Sequence, residues 1–185
     1  MFLIYLYRFA VIHGGIDKEF RTRSVNYLTS LPFDGYAIGG SLGKNHDELM
    51  SLLSWMMPMF DASKHRQTKP RHLLGIADEK NILGSIPYGI DTFDSCYPTR
   101  LSRHGTLLTR KGKISIKQGK YKNQYGIPID EECQCKTCMH YDRAYLHHLL
   151  KANEPVYMQL AAQHNIHYMN DLMKGIREDI MNDQL

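Results

Sequence analysis

Three of the four cysteines sit inside the stretch ECQCKTC, as Cys133, Cys135 and Cys138; the fourth is Cys96. Three thiols at C-x-C-x-x-C spacing can wrap one zinc ion, which takes four ligands in a tetrahedron. A redox pair is the competing chemistry. It needs a C-x-x-C at a helix start beside a thioredoxin-like unit, which is not evident in this pattern. The candidates for a fourth ligand are His140, His147, His148, His164, His167 and Cys96. His147 and His148 are expected to open a helix beside the cluster. His164 falls on an apolar stripe with Tyr157, Leu160, Ala161, Tyr168 and Leu172, and a buried imidazole there needs a hydrogen bond or a metal. Spacing alone leaves the choice open. A site closed by four protein ligands is structural rather than catalytic.

A second candidate lies in GIDTFDS (89–95), where Asp94 ends a strand-like run. A lone aspartate in that position most often caps a turn or helix. Just beyond it, residues 98–122 carry Arg100, Arg103, Arg110, Lys111, Lys113, Lys117, Lys120 and Lys122 and no acid. The overall charge is +4, so the rest of the chain is net acidic. Such a run is either a solvated face or a contact for phosphates.

The elements that must position these groups alternate. YRFAVIH (7–13), GYAIGG (35–40), RHLLGIA (71–77) and GIDTFDS (89–95) read as strands. Between them, 17–31 and 46–60 have helical spacing, and DEKNILGSIPYG gives a short helical connection. Strand–helix units in series predict an α/β fold with a parallel sheet, whose ligands gather at the carboxyl ends of the strands. Those ends are Gly14-Gly15, Gly39-Gly40, Gly75 and Asp94. Farther on, TLLTRKGKISIK (106–117) reads as a β-hairpin about Lys111-Gly112, followed by helices over 142–151 and 154–181. Asn153 is expected as an N-cap, with Pro155 in the first turn. The chain of 185 residues, 43% hydrophobic, suits one substantial core, or a core plus a small appendage, and is not a disordered polymer. No apolar run is long enough to span a bilayer, and four cysteines do not make a secreted disulfide scaffold. A reducing, cytoplasmic setting is expected.

FDGYAIGG (33–40), GIDTFDSCYPTR (89–100), ECQCKTC, RAYLHHL (143–149) and QHNIHY (163–168) occur in the order found in the tRNA-guanine transglycosylase family. The chain resembles the C-terminal half of that family, which includes queuine tRNA-ribosyltransferases. The resemblance implies the C-terminal half of a (β/α)8 barrel with a zinc-binding subdomain. Residues 1–105 would be the partial barrel, and 106–185 the hairpin, zinc subdomain and terminal helices. It implies a pentosyltransferase that exchanges guanine 34 of tRNA for a 7-deazaguanine (preQ1 or queuine), as a step of queuosine biosynthesis. By the same resemblance Asp94 is the nucleophile that forms a covalent tRNA intermediate, and Gly39 and Gly40 bind the base. Gly75, Ile76, Ala77, Asp78, Glu79, Lys80 and Asn81 contact RNA, and Thr99, Arg100, Leu101, Ser102 and Arg103 recognise the wobble base. Cys133, Cys135, Cys138 and His164 hold one structural zinc. The partners implied are the tRNA anticodon loop, the 7-deazaguanine base, and either a second copy or a complementing N-terminal chain.

The sequence also departs from the family. Family chains are about twice this length, so a truncated or split copy is expected, without the aspartate assigned general acid/base work. Residues 1–6 do not look like family sequence. Many bacterial members read GG-L-x-V-G-E where this chain has GGSLGKN (39–45), one residue shorter and lacking the glutamate that shapes a pocket for an aminomethyl group. Leu74 replaces a common methionine. A non-catalytic tRNA-binding or dimer-partner subunit is the alternative reading.

Overall fold

The computed structural model describes residues 6–61 and 69–185 and divides into two compact units, Met1–Ser95 and Cys96–Leu185. Of the anomalous first six residues, all but Leu6 lie outside the described residues.

In the first unit, strands β1 (Phe9–Ile12), β2 (Gly35–Ile38), β3 (Arg71–Leu73) and β4 (Thr92–Phe93) form one parallel sheet in sequence order. Helix α1 (Lys18–Thr29) joins β1 to β2, and α4 (Glu79–Ser85) with a 3-10 turn at Ile86–Tyr88 joins β3 to β4. The helical run expected over 46–60 breaks in two: α2 (His46–Met56) ends at Met57, and a single turn α3 (Pro58–Asp61) follows. Proline cannot donate the hydrogen bond that would continue the helix, and its ring crowds the turn before it. Three of these helices, α1, α2 and α4, start on a side-chain cap. Asp17 accepts from the Phe20 amide at 2.9 Å, Asn45 from Glu48 at 3.0 Å and Asp78 from Asn81 at 3.2 Å. Glu48 reaches back to the Lys44 amide at 2.8 Å, in the manner of a capping box.

The register settles which side chains face the helices. Ala10, Tyr36 and Arg71 align across the sheet, as do Ile12, Ile38, Leu73 and Phe93. These rows pack with Val25, Leu49, Leu53, Met56 and Phe60 into the first core. The alternate row is Val11, Ala37, His72 and Thr92, on the opposite face.

Arg21 was not singled out by its sequence position, yet it is fully buried at the carboxyl ends of β1 and β2. Its Nε donates to the Gly15 carbonyl at 2.7 Å and Nη1 to Ile12 at 2.9 Å. Nη2 donates to Gly39 at 2.9 Å and Ser41 at 3.0 Å. One guanidinium therefore ties the loop after β1 to the loop after β2. Gly14 permits this closure. It has φ +134°, and a Cβ there would lie 2.6 Å from the Arg21 amide nitrogen.

The second unit has a short hairpin of β5 (Thr106–Leu107) and β6 (Ile114–Ser115), as the alternating pattern predicts, with Gly112 at φ +102° in its loop. Helices α5 (Tyr97–Arg103), α6 (Lys136–His140), α7 (Arg143–Lys151) and α8 (Pro155–Met181) complete it. Leu107, Ile116, Tyr121, Ile129, Leu146, Leu149, Tyr157, Leu160 and Ala161 form its core. Helices α5 and α6 were not foreseen as elements; each is shorter than the window in which a helical period can be recognised. Asn153 is not the N-cap of α8. It has φ +56° and ends α7: its amide donates to Leu150 at 3.3 Å and the Glu154 amide to Leu149 at 2.9 Å, a Schellman closure. Pro155 does take the first turn of α8.

Arg21→Met removes the guanidinium while keeping an apolar stem, and leaves four carbonyls to find new donors. A loss of about 3 kcal/mol is expected from urea unfolding, because buried hydrogen-bond networks are among the few features whose removal costs that much. Amide exchange should quicken at 12–16 and 39–42. Leu53→Ala, an ordinary core deletion of about 2–5 kcal/mol, should leave those loops no more exposed than other parts of the sheet.

Candidate active site and metal centre

The expected strand ends meet at one edge of the parallel sheet. Asp94 follows β4 directly, with its side chain 58% exposed. Its Oδ1 accepts from the Gly75 amide at 3.0 Å and lies 3.1 Å from Nε2 of His72. Among the described residues Oδ2 has no hydrogen-bond partner. The Gly75 amide holds the carboxyl below its ordinary range; burial opposes it by less, and the His72 imidazole adds a smaller lowering. The Asp94 carboxyl is therefore ionised at neutral pH. Its contribution to folding is present above the ordinary carboxylate range and is lost as pH falls through the depressed value. Gly75, at φ +76°, has open space where a side chain would stand.

Gly39 and Gly40 lie at the end of β2. A Cβ on Gly39 would meet Leu74 Cδ1 at 2.7 Å and Val11 Cγ1 at 3.1 Å, so bare backbone is what keeps this spot open. Gly40 has φ +76°, and a Cβ there would lie 3.2 Å from Nδ1 of His13. The row two residues beyond Val11, Ala37, His72 and Thr92 is thus His13, Gly39, Leu74 and Asp94. A flat, π-faced ligand approaching the backbone at Gly39-Gly40 would have a carboxylate two strands away.

The expected RNA-contacting residues are unequally available. Lys80, Arg100 and Arg103 are exposed. Asn81 is engaged internally, with Nδ2 donating to Asp78 at 2.6 Å and Oδ1 lying 2.7 Å from Nδ1 of His46. Ser102 is buried; its hydroxyl donates to Thr99 and its carbonyl accepts from Tyr157 at 3.1 Å. All eight basic residues of the 98–122 run are exposed.

Cys133, Cys135, Cys138 and His164 converge, with their four candidate ligand atoms all within 4.8 Å of one another. Nδ1 of His164 lies 3.6, 3.5 and 3.3 Å from the three sulfurs in sequence order. A sulfur and a nitrogen sharing one tetrahedral ion at ordinary bond lengths stand roughly 3.5 Å apart. Nε2 of His164 is 2.7 Å from the Leu108 carbonyl, which can only accept, so Nε2 carries the proton and Nδ1 offers its lone pair to the cluster. The donor set thus fits a metal ion. Asn165, the next residue of α8, accepts from the Leu108 amide at 2.9 Å and donates to Pro98 and Thr106, each at 3.0 Å. Thr137 ties α6 to the Leu160 carbonyl of α8 at 2.9 Å.

Hydrogen bonding from Cys138, with help from His164, draws the Cys135 thiol down, and burial pushes the Cys133 thiol up. Hydrogen bonding to the Cys135 thiolate raises Cys138. Cys135 is also the N-cap of α6, its sulfur 3.4 Å from the Cys138 amide. A C-x-x-C at a helix start is therefore present after all, but with a third thiol and an imidazole facing it. The other candidates for fourth ligand are engaged elsewhere or exposed. His147 and His148 lie in the later half of α7 rather than opening it, and Nδ1 of His147 is 2.7 Å from the Ile116 carbonyl. His167 is 3.3 Å from Asp171, and Cys96 is exposed.

An anchored carboxylate at the carboxyl edge of a parallel sheet and, in the second unit, a Cys3His cluster that could hold a metal ion define the class, an α/β protein with a parallel sheet. The family profile described as queuine tRNA-ribosyltransferase matches residues 6–185, and the chain belongs to that family. It is 47% identical over 175 residues to a queuine tRNA-ribosyltransferase of Protochlamydia amoebophila, covering 95% of this chain and 44% of the relative. It is 44% identical to that of Chlamydia felis (96% of this chain, 46% of the relative) and 38% identical to that of Lactococcus lactis (96% and 45%). The chain spans about half the length of the curated relatives it matches.

Cys135→Ser should reduce metal content, measured by elemental analysis, from one ion per chain to well below one. Amide exchange should rise in α6 and the facing turns of α8 while α1 and α2 stay protected. A full metal complement with unchanged exchange would show that these four residues hold no ion.

Proposed function

We propose that this chain carries the nucleophile, base-docking strands and zinc subdomain of a tRNA-guanine transglycosylase. The observation that carries this reading is the Asp94 carboxylate, fixed through Oδ1 at the sheet edge with Oδ2 exposed, in a chain of this family. Oδ2 attacks C1′ of the ribose at position 34 as the bond to N9 of guanine breaks. Guanine leaves with that electron pair and a proton from an acid in the part of the relatives that this chain does not span. The incoming 7-deazaguanine gives up its N9 proton, attacks C1′ and returns the pair to the Asp94 carboxylate. Two displacements at one carbon retain the anomeric configuration, and a carboxylate suits an oxocarbenium-like centre because its charge also stabilises the developing cation. Gly39 and Gly40 admit the flat base against bare backbone. Exposed basic side chains, Arg100 and Arg103 among them, hold the phosphates of the anticodon loop while the target base leaves its stack. Lack of a glutamate in GGSLGKN leaves no anionic partner in that segment for the aminomethyl group of preQ1, which removes one reason to prefer preQ1 over queuine. Zinc is the ion the Cys3His donor set suits best; Cys133, Cys135, Cys138 and His164 would hold it, and its part would be to fasten the subdomain rather than to react. Thiol ligands of this kind belong in the reducing cytoplasm, and among the described residues no helix is long and apolar enough to cross a membrane.

The test is incorporation of labelled guanine into tRNA by this chain alone and by the chain combined with the N-terminal half of the Protochlamydia relative. Exchange in the combined sample, abolished by Asp94→Ala, is the expected result. Undiminished exchange with Asp94→Ala would rule out the nucleophile. Salt-sensitive tRNA binding with no exchange in either sample would favour a non-catalytic tRNA-binding subunit.

A further inference from the structure

Both donors that reach Asp94 reach the same oxygen. The Gly75 amide is fixed by the backbone, whereas His72 is a side chain that must itself be held. Its Nδ1 is 2.8 Å from Oγ1 of Thr92, the residue aligned with it on the neighbouring strand, and its Nε2 is 3.1 Å from Oδ1 of Asp94. An ionised carboxylate only accepts, so Nε2 bears the proton. Nδ1 of a neutral ring then accepts from the Thr92 hydroxyl. The chain of contacts runs Thr92 O–H to His72, and His72 N–H to Asp94, across two strands. The imidazole is only 22% exposed, and β3 and β4 clamp it on the face opposite the first core.

We propose that His72 is a positioning residue for the Asp94 carboxylate: oriented by Thr92, it holds Oδ1 so that Oδ2 alone faces the ribose carbon. This rests on the reading of Asp94 as nucleophile. The contact acts at both displacements. In the first, two N–H donors on Oδ1 stop rotation of the carboxylate and present a single oxygen for attack; misplacing an attacking atom by about 1 Å can cost on the order of a hundredfold. In the second, the carboxylate is the leaving group. As the bond from Oδ2 to C1′ breaks, the returning charge spreads to an Oδ1 already facing two donors. Among the described residues His72 is the titratable side chain that acts on Asp94.

Two measurements on the full chain test this, one of them independent of activity. Nitrogen-15 NMR should find neutral His72 protonated at Nε2. Carbon-13 titration should find the Asp94 midpoint moved upward in His72→Phe, which keeps a ring of similar shape, and near its original value in His72→Gln, whose amide can donate from the same place. In the combined exchange assay, His72→Phe should lower the single-turnover rate about tenfold to a hundredfold and shift the acid limb of the pH profile upward, with His72→Gln recovering most of both. Thr92→Val should move the same readouts in the same direction by less. A neutral ring protonated at Nδ1, or an Asp94 midpoint and acid limb unmoved by His72→Phe, overturns the assignment of His72. If Asp94→Ala abolishes exchange while His72→Phe does not reduce it, the nucleophile stands and only the role of His72 falls. If Asp94→Ala leaves exchange intact, the nucleophile itself is lost.

Discussion

The parallel register of four short strands is the constraint on which the first unit depends. Side chains on a strand alternate between faces, so a slip of one residue would exchange the two faces entirely. In the register observed, Ala10, Ile12, Tyr36, Ile38 and Leu73 go to the helices, and Val11, Ala37, His72 and Thr92 go to the other face. The candidate site of this unit follows the second set. Asp94 stands two residues beyond Thr92, Leu74 two beyond His72, and Gly39 two beyond Ala37, so the carboxylate, the apolar wall and the bare backbone share one row. The two-residue strand β4 is enough, because it needs only to place Thr92 opposite His72.

Buried polar groups do the fastening in both units. In the first, Arg21 gives its donors to four carbonyls of two loops, and among the described residues no carboxylate pairs with it. Burial lowers its pKa, yet four carbonyl dipoles around a planar cation supply the acceptors that water would have provided. In the second, consecutive residues of α8 grip one residue after the hairpin strand. His164 takes the Leu108 carbonyl and Asn165 the Leu108 amide. The same hydrogen bond that satisfies Leu108 decides which nitrogen of His164 faces the thiols. Packing and ligand geometry are therefore one arrangement, and an ion bound there would tie the 133–138 loop to α8 covalently as well as sterically.

Local pattern carried much of this. Alternation and helical spacing located the four strands, the hairpin and the long terminal helices within a few residues, and C-x-C-x-x-C located three of the four cluster residues. What local pattern could not supply was pairing across distance. Spacing left His164 one of six candidates; the family resemblance chose it, and the fold brings its Nδ1 to the sulfurs. His72 drew no attention because a histidine in a three-residue strand has no meaning until its partner on β4 is known, and the register that supplies Thr92 spans 20 residues of chain. Arg21 looked like one more cation on a helix. Its spacing of four from Val25 was the one available signal, since that places it on the buried face. Asn153 misled for a reason of the same kind: a residue between two helices can end the first as readily as begin the second, and a short polar side chain tolerates the left-handed turn that ending requires.

Charge along the chain and charge in space also differ. Residues 98–122 contain no acid, yet Arg110 lies 2.8 Å from Glu132 and 4.0 Å from Asp171, and Lys111 lies 4.0 Å from Glu131. The tip of the hairpin is thus partly neutralised by acids from the loop before the cysteines and from α8. Lys113 and Lys120 lie over the rings of Tyr97 and Tyr121, which leaves their charge in place while restricting the stems. Arg100 and Arg103 form no ion pair among the described residues, and they occupy the last turn of α5, whose dipole favours cations there. A phosphate arriving at this unit would therefore displace no carboxylate at α5 and would compete with three at the hairpin tip. The offset within the eight-cation run falls on the hairpin tip, at Arg110 and Lys111, and leaves the charge at the end nearest in sequence to Asp94 in place.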